Sequence, residues 1–110
     1  MEIMEEKINE VYMFRLNGSL DSNTSTTFED KMMEAIQKGA NKIVVDFGAV
    51  EYISSAGLRV LNKASKKLKH SEGRIILCRV EDYIKEVFEI AGFHHFLPIV
   101  STVDDAMAGF

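Results

Sequence analysis

The sequence predicts a single α/β domain over residues 1–110, with a central mixed sheet of four to five strands and about four helices. Two patterns and their order lead to this prediction. The apolar run Ile43-Val44-Val45 lacks alternation, which is typical of a strand covered on both faces. From Gly57 onwards, apolar residues recur at every third or fourth position and indicate a helix directly after that strand. Strand and helix patterns then alternate to the C-terminus, and right-handed crossovers would place the helices around the sheet.

The N-terminal segment predicts a β-hairpin. Residues 2–8 and 11–17 both have strand character, and the polar pair Asn9-Glu10 between them fits a tight turn. The next residues, Gly18 to Asp21, are expected to form a loop. The second strand should pack mainly through the face that carries Tyr12, Phe14 and Leu16.

The first helix is predicted from about residue 24 to residue 38, although it could begin as early as Ser22. Thr26, followed three residues later by Glu29, matches the capping box that often starts a helix. An apolar stripe on one face, with Gly39 after the last turn, completes the pattern.

The central strand is expected to end at Asp46, since a carboxylate after an apolar run tends to lie at the rim of a sheet. The loop that follows should end near Ser54-Ser55, just before the helical period begins. Serine is a favoured N-cap residue, and a hydroxyl at a helix start lies beside free backbone N–H groups and the positive end of the helix dipole. The simplest interpretation is that both serines only cap the helix.

The last third of the chain continues the alternation. The second helix should close at Ser71-Glu72-Gly73. The remaining predicted elements are a strand over residues 74–80, a helix over 81–91, an edge strand over 96–100 that contains Pro98, and a short helix from Thr102 through Met107.

The composition limits the class of protein. With 46% hydrophobic and 27% charged residues the chain has the composition of an ordinary globular protein, and a formal net charge of −4 argues against a nucleic-acid surface. No apolar run approaches the roughly 20 residues that span a bilayer, and the N-terminus is acidic, so we expect a cytoplasmic protein without membrane insertion. Cys78 is the single cysteine and is expected to be a buried thiol. Five methionines are expected to fill gaps in the core: Met4, Met13, Met32, Met33 and Met107.

The residues of common catalytic sites are missing from the sequence. No glycine-rich phosphate-binding loop is present, and Ser55 lacks the glycine two residues before it that a hydrolase nucleophile elbow needs. His94 and His95 are adjacent and should point in different directions, which makes them a poor metal-binding pair. The sequence thus predicts a binding protein rather than an enzyme, with no cofactor and no metal.

The central segment also resembles a known family. Asp46-Phe47, followed by Val50-x-Tyr52-Ile53-Ser54-Ser55-Ala56-Gly57-Leu58, is similar to the signature of the STAS family, specifically the bacterial anti-sigma-factor antagonists. That signature is a strand-ending aspartate followed by an Asp-Ser-[Ser/Thr/Ala]-Gly-Leu loop. By this resemblance Ser55 takes the position of the phosphorylated serine, and Gly57 that of the family glycine. Ser54 stands where the family usually has the loop aspartate.

The resemblance implies a partner-switching regulator. The unphosphorylated protein would bind an anti-sigma factor that is also a serine kinase, so that a sigma factor is released. Phosphorylation of Ser55 by that kinase, with ATP, would end the binding until a serine phosphatase restores it. The Gly-x-Leu-Asp segment at residues 18–21 also matches the family, which places an acidic residue beside the phosphorylation loop. The residues expected to bind the partner are Asp21, Ser54, Ser55, Ala56, Gly57, Leu58 and Arg59, and those expected to support the site structurally are Asp46 and Gly57.

A second interpretation keeps the fold but not the switch. In it the chain is a STAS-type binding module, such as a regulatory or structural subunit of a transporter complex, and Ser55 is only a helix cap. The serine at position 54, in place of the usual loop aspartate, supports this alternative.

Overall fold

One five-stranded sheet organises the structure, a computed structural model that describes residues 1–110. The strands are β1 (Glu2–Ile8), β2 (Val11–Leu20), β3 (Lys42–Ile53), β4 (Arg74–Cys78) and β5 (Ile99–Val100). They lie in the sheet in sequence order, with β1 antiparallel to β2 and all the other neighbours parallel. The predicted mixed sheet and the N-terminal hairpin are confirmed.

Helices follow each of the four parallel strands. They are α1 (Ser22–Gln37), α2 (Ser55–Lys69), α3 (Asp82–Ile90) and α4 (Val103–Met107), with a short 3₁₀ helix at Phe93–His95. The predicted order of five strands and four helices is confirmed. Thr102 caps α4 as predicted, because its hydroxyl accepts a 3.0 Å hydrogen bond from the N–H of Asp105.

The sheet carries a large core on one face and a smaller core on the other. In the large core, Phe14, Phe28 and Phe88 join β2 to α1 and α3 and are fully buried. In the smaller core, Val44 and its neighbours on β2 and β4 pack under α4. Both faces of β3 are therefore covered, which is the physical reason for its unbroken apolar run.

Two strands extend further than predicted. β2 continues to Leu20, so that the expected loop at Gly18–Asp21 is mostly strand, and β3 continues past Asp46 to Ile53. The two extensions pair with each other, with Leu20 opposite Ile53. The prediction that Asp46 ends its strand is wrong. Register shifts in this part of the pairing interrupt the regular alternation, which explains why neither extension was visible in the sequence pattern.

The other differences are smaller. β4 ends at Cys78, which is fully buried as predicted, and not at Val80. Among the methionines, Met13 and Met32 are fully buried, and Met33 and Met107 pack against the cores. Met4 is 62% exposed, so the prediction that it fills a gap in the core is wrong. Its strand β1 lies at the edge of the sheet, and most of its residues are exposed.

Candidate functional site

The start of α2 separates the roles of its two serines. Ser54 is the N-cap residue, with extended backbone angles, and its hydroxyl accepts a long 3.4 Å hydrogen bond from the N–H of Gly57. Ser55 is the first residue of the helix and is exposed. The predicted position of the helix start is confirmed. Ser55 is not the cap, however, so the alternative that gives it only that role is wrong on this point.

Two strand ends hold the start of α2 in place. Leu20, the last residue of β2, accepts a 2.9 Å hydrogen bond from the N–H of Ser54 through its carbonyl oxygen. Because Asp21 follows Leu20 directly, the β2–α1 junction lies beside the β3–α2 junction. The structure thus brings Asp21 next to Ser54 and Ser55, as the resemblance implied.

Asp21 itself is the N-cap of α1. Its carboxylate accepts hydrogen bonds from the N–H groups of Asn23 at 2.9 Å and Thr24 at 3.0 Å, and the Thr24 hydroxyl accepts in return from the Asp21 N–H at 2.9 Å. The hydrogen bond from the Thr24 N–H, helped by the one from Asn23, lowers the pKa of the Asp21 carboxyl below its usual value. This reciprocal capping box starts the helix, so the predicted capping box at Thr26 and Glu29 is wrong.

Gly57 lies where α2 meets the ends of β2 and β3. A Cβ atom at Gly57 would come within 2.8 Å of Leu20 Cγ and 3.0 Å of Ile53 Cγ1. Since real carbon contacts are longer, any side chain here would force α2 or the buried side chains of Leu20 and Ile53 to move. The glycine therefore sets how deeply the N-terminus of α2 sits, and with it the height of Ser55 above the strands.

The remaining predicted contact residues lie on the first turns of α2. Ala56 and Leu58 are half-buried, and Leu58 packs against the large core. Arg59 is exposed, and it is not part of any of the six ion pairs of the structure. We call Asp21, Ser55, Ala56, Leu58 and Arg59 the Ser55 surface.

Asp46 does not belong to this site. The rest of β3, from Phe47 to Ile53, lies between it and Ser54, which is on the order of 25 Å of extended chain. Asp46 is 4% exposed and accepts hydrogen bonds from Arg79 Nη1 at 3.1 Å and from the N–H of Gly48 at 2.9 Å. The predicted supporting role of Asp46 at the serine loop is wrong, because its partners are elsewhere in the sheet.

A cleft of about 310 Å³ opens beside the Ser55 surface, between the first turns of α1 and α2. Its lining residues are Ser22, Ser25, Thr26, Glu29, Ala56, Arg59 and Val60. Ser25 is 3% exposed, and its buried hydroxyl oxygen has no hydrogen-bond partner. The cleft was not predicted from the sequence. The available signal was a serine on the buried stripe of α1, three residues before Phe28.

The structure shows no further chemical centre. No group of three or more His, Cys, Asp or Glu side chains could hold a metal ion. The rings of His94 and His95 lie 4.0 Å apart, so the prediction that they point in different directions is wrong. No helix is both long enough and apolar enough to cross a membrane.

Comparison with known proteins places this geometry in a family. The sequence matches the STAS domain family over residues 2–106. It is 34% identical over 110 residues to BtrV of Bordetella bronchiseptica, which bears the name anti-sigma factor antagonist, and the match covers 100% of this chain and 95% of BtrV.

Solved structures share the fold. An anti-sigma factor antagonist of Thermotoga maritima, TM1081, has a TM-score of 0.93 at 22% identity, and the match covers 97% of this chain and 92% of TM1081. SpoIIAA of Bacillus is similar in its unphosphorylated form, with a TM-score of 0.80 at 21% identity and coverage of 98% and 96%. Its phosphorylated form has a TM-score of 0.78 at 24% identity and covers 97% of each chain. Together with the family match over residues 2–106, the 34% identical relative shows that the chain belongs to the STAS domain family.

Proposed function

We propose that the protein is an anti-sigma-factor antagonist that works by partner switching. In its unphosphorylated form it binds an anti-sigma factor that is also a serine kinase, and a sigma factor is thereby released. Transfer of the γ-phosphoryl group of ATP to the Ser55 hydroxyl by that kinase ends the binding and leaves ADP. A serine phosphatase returns the protein to its binding form. The name of BtrV, 34% identical over 110 residues, supports the role.

The observation that carries the proposal is that the two adjacent serines differ in position and exposure. Ser54 caps α2, so the neighbouring Ser55 hydroxyl is exposed and takes no part in holding the helix. The N–H groups of Ser55 and Ala56, the first two helical residues, have no carbonyl acceptor within the helix. A phosphate placed on Ser55 would therefore meet the positive end of the helix dipole, a position that tolerates an anion.

The same phosphate would change what a partner meets. It adds about −1.5 to −2 charges at neutral pH. Asp21 already contributes a carboxylate to the Ser55 surface, and Arg59 is its single basic residue. A partner surface that closes over a neutral hydroxyl would have to bury this dianion among groups that are not arranged to receive it. The folded structure therefore persists after phosphorylation, whereas the complex with the partner dissociates.

The other residues of the site have structural tasks in this proposal. Gly57 allows α2 to pack deeply, and Ser54 ties the helix start to Leu20 of β2. The half-buried Leu58 supplies apolar contact area next to the serine. The partner would thus bind across two neighbouring junctions, β2–α1 and β3–α2.

The test is direct phosphate mapping. The protein is incubated with ATP and with each anti-sigma-factor kinase encoded in the same genome, and the phosphorylated residue is located by mass spectrometry. We expect a single phosphate on Ser55, none in Ser55→Ala, and normal phosphorylation in the matched variant Ser54→Ala. Phosphate on Ser54, or no phosphate with any of the kinases, contradicts the proposal.

A further inference from the structure

Arg59 is a free cation one turn after Ser55. It is exposed, and it is the single basic residue in the first two turns of α2. Three other basic side chains, on or next to the sheet and on α2, are already engaged with acids: Arg15 and Arg79 with Asp46, and Lys63 with Glu29. Arg59 has no acidic partner, so a new anion beside it would compete with no existing ion pair.

We propose that Arg59 binds the phosphate of phosphorylated Ser55 within the same chain and so acts as part of the switch. This inference rests on the proposed phosphorylation of Ser55. The pair would close over the first turn of α2, with the phosphate between the Arg59 guanidinium and the free N–H groups of Ser55 and Ala56.

Helix geometry favours this pair. Residues four apart on a helix lie on the same face, and the arrangement with the anion first and the cation four residues later is the more favourable of the two orders. A guanidinium also offers two parallel N–H groups that match phosphate oxygens. Both Ser55 and Arg59 are exposed on α2, so no packed side chain has to move for the two groups to meet.

Pairing of Arg59 with the phosphate would also change the cleft between α1 and α2. Arg59 lines the cleft between α1 and α2, opposite Ser25 and Glu29. The carboxylate of Glu29 lies 3.0 Å from Lys63 Nζ, so it does not hold the arginine. If Arg59 turns to the phosphate, the cleft loses its one positive side chain. A partner then meets a changed surface at two places, the serine and the cleft.

The test installs phosphoserine at position 55 of the full-length protein during translation, without any kinase. The ³¹P resonance of the phosphate is followed against pH in the wild-type and Arg59→Gln proteins. A guanidinium nearby favours the dianion, so the second pKa of the phosphate, ordinarily about 6, should be lower in the wild type. For an exposed pair we expect a difference of about 0.2–0.7 pH unit.

Two matched variants complete the experiment. Lys66→Gln removes an exposed cation that lies two turns further along α2 and takes part in no ion pair, so it should leave the phosphate titration unchanged, whereas Arg59→Lys keeps a charge and should give an intermediate value. Equal titration of the wild-type and Arg59→Gln proteins overturns the inference, as does an equal effect of Lys66→Gln. Since the phosphate is installed without a kinase, failure of the proposed function, with no kinase found for Ser55, is a separate result.

Discussion

The N–H of Ser54 donates a 2.9 Å hydrogen bond to the carbonyl oxygen of Leu20. This bond joins the cap of α2 to the last residue of β2, directly before the cap of α1 at Asp21. The N-termini of α1 and α2 therefore lie side by side at the carboxyl ends of β2 and β3. A partner that covers Ser55 is therefore expected to meet the Asp21 junction as well.

The first prediction separates the capping role of Asp21 from a role in binding. Asp21→Ala removes the acceptor for the Asn23 and Thr24 N–H groups, so its melting temperature should fall. Asp21→Ser keeps a good cap without the charge and should melt close to the wild type. If the carboxylate contacts the anti-sigma factor, Asp21→Ser binds it more weakly although it is folded. An Asp21→Ala protein with wild-type stability would show that the cap is unimportant.

The cap also predicts a pH dependence. Hydrogen bonds lower the pKa of the Asp21 carboxyl in the folded protein from its usual 3.8. The ionised cap therefore stabilises the fold above pH 3.8, and this contribution is lost as the pH falls through the lower, folded pKa. Thermal unfolding between neutral pH and pH 3 should show a smaller acid destabilisation in Asp21→Ser than in the wild type.

The second prediction concerns the close approach at Gly57. In Gly57→Val the new side chain meets Leu20 and Ile53, and overpacking of this kind costs about 1–3 kcal/mol of unfolding free energy. Lys66→Val, at an exposed position of α2, controls for the presence of valine in this helix, and since valine has a higher helix propensity than glycine, a loss of stability in Gly57→Val reports packing and not propensity. Urea unfolding compares the two. Equal stability of both variants would mean that α2 can shift without strain.

The third prediction tests the buried carboxylate of Asp46. Asp46→Asn removes a charge that lies 3.1 Å from Arg79 Nη1 and 3.9 Å from Arg15 Nε. Because both arginines are about half exposed, we expect a loss of about 1–3 kcal/mol and not the larger cost of a fully buried pair. Asp30→Asn, at an exposed position of α1, serves as the control. Phosphorylation of Ser55 should be unaffected, since Asp46 lies away from the serine.

Asp46 also shows where sequence patterns stop being informative. A charge after Ile43-Val44-Val45 predicts a strand end, because a lone carboxylate is rarely buried. In the structure its counter-charges come from Arg15 on β2 and Arg79 after β4, and no local pattern reports such a long-range pair. The order of strands and helices, by contrast, follows from local periodicity and was predicted in full.

The serine site shows the same division between local and long-range signals. The start of α2 at Ser54-Ser55 was predictable, because capping and the helical period are properties of a few consecutive residues. Which of the two serines caps the helix was not, since it depends on the bond from Ser54 to Leu20. For α1, a run of Ser, Thr and Asp offered several caps, and tertiary pairing of β2 with β3 selected Asp21.

The fourth prediction concerns the thiol of Cys78. Burial, and then the negative charge of Asp46, raise the pKa of Cys78 from its usual 9.0 to about 11. At pH 8 only about one thiol in a thousand would be ionised, and the side chain is also shielded from solvent. A thiol reagent such as DTNB should react with the native protein far more slowly than with protein unfolded in guanidinium. The exposed variant Ser101→Cys should react within minutes, which shows that the reagent is active.

The fifth prediction is the effect of charge at Ser55 on binding. Ser55→Asp places a carboxylate at the first position of α2, where the helix dipole favours it, so the melting temperature should stay close to that of the wild type. In the complex this charge would be buried against a partner surface that closes over a neutral hydroxyl and has no group positioned to pair with it, at a cost of about 2–5 kcal/mol. The affinity for the anti-sigma factor should therefore fall by roughly thirtyfold to several thousandfold.

Two further variants show whether the loss in Ser55→Asp comes from charge at this serine alone. Ser55→Ala keeps the surface neutral and should bind as the wild type does while accepting no phosphate. Ser54→Asp restores the acidic residue that the family usually has at this position, and aspartate caps a helix as well as serine does, so this variant should fold and remain a substrate. Titration calorimetry on Ser55→Asp, Ser55→Ala and Ser54→Asp separates the effect of an added charge from the effect of its position, because Ser54 and Ser55 are adjacent but only Ser55 is exposed. Wild-type affinity in Ser55→Asp would contradict the switch, and so would an equal loss in Ser55→Ala, since that loss could not come from charge.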